Sequence, residues 1–138
     1  MTKTEIIQFL NDNSICYLAT SEKNKPHVRA MRMVRADERG LIFQTVEGKD
    51  LPRQMRENPS VEVCFYNAEN SIQIRVSGRA TSVEDLNLKK EIAEKRPFLK
   101  PLIEEKGFDL IPVFRIVDGV AVVWTMKTNF LPKEYIHL

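Results

Sequence analysis

Short segments in which apolar and polar side chains alternate recur along this chain, separated by polar turns. Residues 27–35 alternate in this way, and so do residues 71–81, where Ile72, Ile74 and Val76 point away from their polar neighbours. A two-residue period is typical of a β-strand with one face toward a core. Since the segments follow one another in hairpin order, we expect them to pair antiparallel.

Six or seven segments have the character of strands, and the connections between them contain a few short helices. The predicted strands cover residues 14–19, 27–35, 41–45, 61–66, 71–81, 110–116 and 120–126. The last two are expected to join at Asp118-Gly119. The predicted helices cover residues 5–10, capped by Thr2 or Thr4, and residues 50–57, 83–94 and 101–106. So many short strands predict a mainly β fold with a closed or nearly closed barrel.

The composition indicates one globular domain, which we expect to span residues 1–138. Hydrophobic residues make up 43% of the chain, and the net charge is only +2. That balance is too even for a protein whose whole surface binds nucleic acid or acidic membranes. No apolar stretch approaches the ~20 residues of a transmembrane helix, and none resembles a signal peptide. We therefore expect a cytoplasmic protein with no membrane partner.

The cysteines and histidines predict neither a disulfide framework nor a metal site. Cys16 and Cys64 both lie in apolar runs, where a free cysteine is usually a small buried side chain. His27 and His137 are far apart in the sequence and match no ligand spacing. We expect both thiols to be free and no metal to be bound.

A strand with three arginines is the first candidate for binding chemistry. Arg29, Arg32 and Arg35 lie on the second predicted strand, and Lys49 follows in a loop that opens a helix. Such cations bind phosphate oxygens, and the Thr45 hydroxyl and the N–H groups at the helix start would add to an anion site. A solvated strand face with cross-strand ion pairs explains the same arginines. The residues alone leave both interpretations open.

Two further features lie on later strands. Gln73 and Arg75 place an amide and a cation on one face of the strand over residues 71–81. Such polar groups often lie on the solvated face of a sheet and bind nothing. Trp124 is the only tryptophan and ends an apolar strand, where packing in the core is its ordinary role.

In this order, these stretches resemble the pyridoxamine 5'-phosphate oxidase-like family of split β-barrels, which bind flavin mononucleotide (FMN). The resemblance runs from about Ser14 to Met126 and depends on the ordered set, because no single stretch is specific. The set comprises Pro26-His27-Val28-Arg29, Leu41-Ile42-Phe43-Gln44-Thr45 with Lys49, Asn58-Pro59-Ser60-Val61, Gln73-Ile74-Arg75-Val76-Ser77-Gly78 and Arg96-Pro97. It implies a six-stranded antiparallel split β-barrel of Greek-key type, with FMN as its cofactor.

The resemblance also implies a homodimer with one FMN in each of two grooves at the subunit interface. Arg29 matches an arginine near the flavin phosphate, and Lys49 matches a phosphate-binding lysine. The backbone from Arg29 to Val34 matches the segment that runs along the flavin ring. Arg32 is a further candidate for balancing the phosphate charge.

The remaining matches surround the rest of the flavin. Gln44 and Thr45 match the pair that follows the ring and the ribityl chain. Gln73 matches a glutamine that reaches the flavin, and Trp124 matches an aromatic residue from the second subunit. The expected cofactor-binding residues are Arg29, Met31, Arg32, Met33, Val34, Gln44, Thr45, Lys49, Gln73 and Trp124.

The chain departs from the true oxidases where they hold the substrate phosphate. A lysine, a tyrosine and a serine of that site fall at Val34, near Ile92 and near Lys100, and only Arg96 remains in register. The arginine-rich C-terminal segment of the oxidases is also absent after Met126. Activity on pyridoxamine 5'-phosphate is therefore disfavoured.

Three functions remain to be compared. The leading hypothesis is an FMN-dependent oxidoreductase that passes electrons from a reduced nicotinamide to a small acceptor, and the second is a non-catalytic FMN carrier or electron-transfer protein. A nucleic-acid-binding barrel is disfavoured, because Met31 and Met33 alternate with the arginines where base-stacking aromatics are needed. The sequence singles out no catalytic residue. It leaves open the acceptor, the choice of NADH or NADPH, and the replacement of FMN by a deazaflavin or heme.

Overall fold

The computed structural model describes residues 1–138, and antiparallel β-strands dominate it, which confirms the mainly β class. The strands are β1 (Ile15–Glu22), β2 (Lys25–Arg32), β3 (Arg35–Asp37), β4 (Gly40–Gln44), β5 (Ser60–Asn67), β6 (Ile72–Ser82), β7 (Val113–Trp124) and β8 (Ile136–His137). The helices are α1 (Lys3–Asp12), α2 (Asp50–Glu57), α3 (Leu86–Lys95) and α4 (Lys100–Lys106), with 3-10 turns at Pro97–Leu99 and Phe108–Leu110.

The strands form one ladder in the order β2-β1-β5-β6-β7-β4-β3, and the short β8 pairs with β7. The predicted strand over residues 27–35 is interrupted, because the segment changes partner between β2 and β3. The Met33 N–H donates to the Ser14 carbonyl beside β1, and the Val34 N–H donates to the Ile42 carbonyl on β4, each at 2.9 Å. One extended segment therefore joins both ends of the ladder, which does not close. We call the opening between β2 and β4 the split.

The predicted hairpin at Asp118-Gly119 is wrong. Both predicted segments belong to β7, which pairs with β6 from Gln73 opposite Trp124 to Ser82 opposite Phe114. Asp118 adopts a positive φ of 54°, and the register of β6 against β7 shifts between Ser77 and Arg79. The irregularity is therefore absorbed as a bulge inside a continuous strand, and the turn signal does not reverse the chain.

The core fills the interior of this curved sheet. Its largest fully buried side chains include Phe43, Phe65 and Phe114, and α1 covers one side with Ile6 and Leu10. A smaller cluster lies under α3 and the segments that follow it, and consists of Ile42, Leu88, Ile92, Leu99, Ile111 and Val113.

Helix α1 begins with a capping box, in which Thr2 is the N-cap and Glu5 bonds back to the Thr2 backbone N–H. This settles the choice between Thr2 and Thr4. Helix α2 covers the predicted residues 50–57. No helix in the structure combines the length and apolar character needed to cross a membrane.

The two cysteines are free and lie on opposite faces of the sheet. Cys16 is fully buried, and desolvation raises the pKa of its thiol to about 12. Cys64 lies on the outer face and is only partly buried, so the expected burial holds fully for Cys16 alone. Burial also raises the pKa of the Cys64 thiol.

Candidate functional site

Arg29 lies on the inward-facing side of β2 and is partly buried. Its Nη1 donates to the Thr20 hydroxyl at 2.8 Å and to the Leu18 carbonyl at 3.4 Å. Its Nη2 donates to Gln54 Oε1 at 2.6 Å. Desolvation lowers the pKa of Arg29, while the charge of nearby Asp50 raises it. Neutral acceptors thus fix the guanidinium, and its charge has no direct carboxylate partner.

Gln54 is the side chain that connects Arg29 to α2. It is only 1% exposed, and its Oε1 accepts from both Arg29 and the Thr20 hydroxyl, the latter at 2.6 Å. Its Nε2 donates to the Glu22 carboxylate at 3.1 Å. Glu22 is also paired with Arg53. The hydrogen bond from Arg53, and to a lesser extent that from Gln54, lowers the pKa of the Glu22 carboxyl. This series of hydrogen bonds holds α2 against β1 and β2.

The start of α2 adds a cation and free backbone donors beside Arg29. Lys49 is the N-cap residue, is exposed, and makes no side-chain cap bond. Gly48 before it has a φ of 91°, which favours glycine. Backbone N–H groups in the first turn of a helix lack internal acceptors and attract anions. Gln54 joins Arg29 to α2, and Lys49 stands at the start of the same helix with Asp50 in its first turn. We call this end of α2, with its two cations, free backbone donors and one carboxylate, the corner.

The three arginines of the predicted strand do not act together. Arg32 is exposed and three residues from Arg29, so strand alternation directs it to the opposite face. Arg35 lies on β3 and pairs with Glu91 and, at 3.7 Å, with Asp37. After the larger effect of desolvation, the charge of Arg32 lowers the pKa of the Arg96 guanidinium. A role of Arg32 in balancing the phosphate stays a prediction.

Gln44 and Thr45 are both buried at the end of β4, beside the split. Gln44 Nε2 donates to the Thr45 carbonyl at 2.7 Å, and its Oε1 accepts from Arg96 Nη1 at 3.0 Å. Arg96 Nη2 also donates to the Arg32 carbonyl at 2.7 Å. The Thr45 N–H donates to the Pro112 carbonyl at 3.1 Å. Arg96 thus connects the Gln44 side chain of β4 to the last carbonyl of β2.

The predicted residues at the junction of β2 and β3 differ in what they expose. Met33 is 2% exposed and belongs to the core, and Met31 packs against the same core while partly buried. Val34 packs against the smaller cluster under α3. The Met33 side chain is therefore committed to the interior, so a ligand at this segment would meet backbone groups and the partly buried side chains.

Gln73 and Trp124 are cross-strand partners on the other part of the sheet. They line a groove of about 790 Å³ between β6, β7 and the segment after Thr125. The Trp124 indole N–H donates to Asn129 Oδ1 at 2.8 Å, and the side chain is only partly buried, so its ordinary core role does not apply. Since β6 is the third strand from β2, at roughly 4.8 Å per step, one chain does not bring Gln73 and Trp124 to Arg29.

Sequence reasoning missed Thr20 and Gln54 and did not predict the partners of Arg96. Gln54 had a detectable signal, because it is the one amide on a helix face otherwise made of Leu51, Pro52 and Met55. A polar residue within an apolar stripe indicates a buried hydrogen bond. Thr20 and Arg96 carried no comparable local signal.

Residues 2–107 match the sequence profile of the pyridoxamine 5'-phosphate oxidase family. The chain belongs to this family. A pyridoxine/pyridoxamine 5'-phosphate oxidase of Burkholderia mallei is 32% identical over 72 residues, which are 52% of this chain and 34% of that enzyme. The alignment thus spans about a third of the length of the curated relative.

Two solved structures share the fold over nearly the whole chain. A NimC/NimA family protein of Clostridium acetobutylicum has a TM-score of 0.78 at 24% identity, covering 98% of this chain and 92% of that one. An FAD-binding protein of Mesorhizobium loti has a TM-score of 0.60 at 18% identity, covering 91% of this chain and 96% of that one. At these identities the likeness concerns the fold.

Proposed function

We propose that this chain binds FMN as a homodimer and is an oxidoreductase that passes electrons from a reduced nicotinamide to a small acceptor. The observation that carries the proposal is the corner made by Arg29, Lys49 and the start of α2. Family membership and the Mesorhizobium loti structural neighbour described as FAD-binding support a flavin.

The donor set fits the flavin phosphate. A phosphate monoester carries close to two negative charges at neutral pH and offers three acceptor oxygens. Arg29 is already oriented by Thr20 and Gln54 and has no direct carboxylate partner, so its charge remains to be balanced. Lys49 adds a mobile cation at a helix start. These residues would hold the phosphate end.

The ring would lie along the free edge of β2. Only β1 pairs with β2, so alternate backbone groups on its other edge are available as donors and acceptors. Gln44 and Thr45 border the same opening. When bound, the flavin supplies hydride and electron transfer, while the protein orients it and tunes it by hydrogen bonds. This chain's part is therefore to bind, orient and exclude water.

A second copy would complete the site. Ile15, Tyr17 and Val28 are 56%, 50% and 69% exposed and lie on neighbouring strands of one outer face. Apolar side chains clustered on a sheet face indicate an interface. A partner placed there would bring its own Gln73 and Trp124 toward the flavin site beside β2, which one chain leaves incomplete.

The test compares FMN with riboflavin, which lacks the phosphate. The purified chain should show flavin absorption bands, release FMN by mass spectrometry, and bind FMN far more tightly than riboflavin. Arg29→Met should weaken FMN binding by about 10- to 100-fold with little change for riboflavin, since charge-assisted hydrogen bonds are lost. Arg79→Met is the matched control, because Arg79 pairs only with Asp118 on the surface.

A colourless protein that also fails to take up added FMN would overturn the flavin assignment. Equal affinity for FMN and riboflavin would overturn the role of the corner. Steady turnover of NADH or NADPH by the loaded protein is expected for an oxidoreductase. Its absence with both nicotinamides would favour an FMN carrier.

A further inference from the structure

Arg96 lies at the end of α3 and reaches across the split. It is the C-cap residue of α3, its backbone N–H donates to the Ile92 carbonyl at 2.9 Å, and Pro97 follows. Its side chain is partly buried and donates to two acceptors on different strands. These are Gln44 Oε1 beside β4, at 3.0 Å, and the Arg32 carbonyl at the end of β2, at 2.7 Å.

These two bonds cross the one place where the ladder lacks strand pairing. β2 and β3 stand at opposite ends of the strand order, so no ladder hydrogen bonds join β2 to β4. The Arg32 carbonyl precedes the Met33 and Val34 amides, through which the segment changes partner. Arg96 therefore ties the free edge of β2 to the end of β4 where the chain itself does not.

The guanidinium is committed to this contact. Both terminal nitrogens are engaged by neutral acceptors, and the side chain makes no ion pair with any carboxylate. Gln44 is held in turn, because its Nε2 donates to the Thr45 carbonyl. In the resemblance to the oxidases, Arg96 matched a residue that holds the substrate phosphate. Here its donors are directed to the protein.

We propose that Arg96 is a positioning residue, which spans the split and sets the Gln44 amide and the β2 edge against which the flavin ring would lie. The first half of this inference concerns the protein alone, and the second half rests on the proposed flavin function.

Arginine is required at this position by geometry. A planar guanidinium presents several N–H donors in fixed directions, so it can bond two acceptors on separate strands. A lysine ammonium is a single point charge on a flexible stem and loses one of the two partners or both. Arg96→Lys therefore keeps the charge and removes the span.

The first experiment needs no flavin. Amide hydrogen exchange at Met33 and Val34 is measured by NMR in the flavin-free wild type, Arg96→Lys, Arg96→Gln and the surface control Arg79→Gln. Both Arg96 variants should exchange at least about 10-fold faster at these amides, which is the order expected for loss of charged hydrogen bonds. The control should match the wild type. Unchanged exchange in both Arg96 variants would overturn the span.

The second experiment uses the flavin-loaded protein. Both Arg96 variants should weaken FMN affinity about 10-fold and shift the flavin absorption maxima, with Arg96→Lys no better than Arg96→Gln. Gln44→Leu should produce a similar shift, and the double variant should add little to it. An unchanged spectrum and affinity in folded Arg96 variants would overturn the positioning role.

If the wild type binds no flavin at all, the proposed function and the positioning half fail together. The hydrogen exchange experiment then still tests the two hydrogen bonds of Arg96 across the split, since it needs no flavin.

Discussion

At the scale of single residues, Gln54 has the largest consequences for its surroundings. Its amide oxygen accepts hydrogen bonds from Arg29 and Thr20, and its amide nitrogen donates one to Glu22. The Gln54 side chain is almost completely buried. A buried amide is stabilising only while its partners are present. The orientation of Arg29, the proposed phosphate ligand, therefore depends on Gln54.

Gln54→Leu keeps the side-chain size and removes these bonds. We expect the free energy of unfolding to fall by about 1–3 kcal/mol, because buried donors lose their acceptor. FMN affinity should fall as well, since Arg29 is no longer fixed. Urea unfolding measures the first effect, and the exposed Gln8→Leu, which loses a bond to Asp12, is the control. Equal stability of the two variants would contradict the assigned role.

The two thiols should differ in reactivity for a reason visible in their burial. Cys16 is fully buried with a raised pKa of about 12, so neither access nor ionisation favours modification. Cys64 is partly exposed, and burial raises the pKa of its thiol as well. Since Cys64 adjoins the proposed dimer face, the test uses the monomeric variant Val28→Glu. A thiol reagent at pH 8 should modify one cysteine slowly in this folded variant and both after denaturation. Cys64→Ser should remove the native reaction, and its persistence would show that Cys16 is accessible.

At the scale of secondary structure, local signals predicted some elements and failed for others. The bounds of α2 were predicted because Pro52 near its start and Asn58-Pro59 after its end are local helix signals. The hairpin at Asp118-Gly119 was wrong, because those residues also fit a bulge and only the pairing with β6 decides between the two. Long-range pairing overrides a turn signal wherever both flanking segments have the same partner.

The same limit applies to the candidate site. Arg29 and Lys49 could be named as candidates, because cations on a strand and at a helix start are visible in the sequence, and their binding role stays a prediction. The partners of Arg29 and Arg96 could not, because Gln54 lies 25 residues from Arg29, and the Arg32 carbonyl lies 64 residues from Arg96. Such contacts depend on how β2, α2 and α3 pack around the split.

The bulge between β6 and β7 has a testable requirement at Gly78. A Cβ added there would lie 2.7 Å from Ile116 Cγ2 and 2.8 Å from the Val117 carbonyl oxygen. Since a backbone oxygen cannot move aside easily, Gly78→Ala should lower the free energy of unfolding by about 1–3 kcal/mol. Ser77→Ala, on an exposed neighbour, is the control and should change little. Chemical denaturation that gives Gly78→Ala wild-type stability would contradict the close approach.

At the scale of the whole molecule, one chain leaves an apolar outer face without a partner. Tyr17 lies opposite Ala30, Ala19 lies opposite Val28, and Tyr17 also adjoins Cys64 on β5. A stable dimer typically buries about 800 Å² on each partner, and a patch across neighbouring strands is of the kind that supplies it. The proposed dimer and the incomplete flavin site therefore depend on the same face.

Val28→Glu places a charge on that face while leaving the fold of one chain unaffected, because Val28 is 69% exposed. If the face joins two copies, the carboxylate loses its hydration on association, which disfavours the dimer. Light scattering after gel filtration should give a dimer for the wild type and a monomer for Val28→Glu, with flavin affinity lost alongside. Phe98→Glu is the matched control, since Phe98 is 70% exposed and lies in the 3-10 turn after α3 rather than on β1 or β2, and this variant should stay dimeric. A monomeric wild type that nevertheless binds FMN with full affinity would show that one chain completes the site without its partner's Gln73 and Trp124.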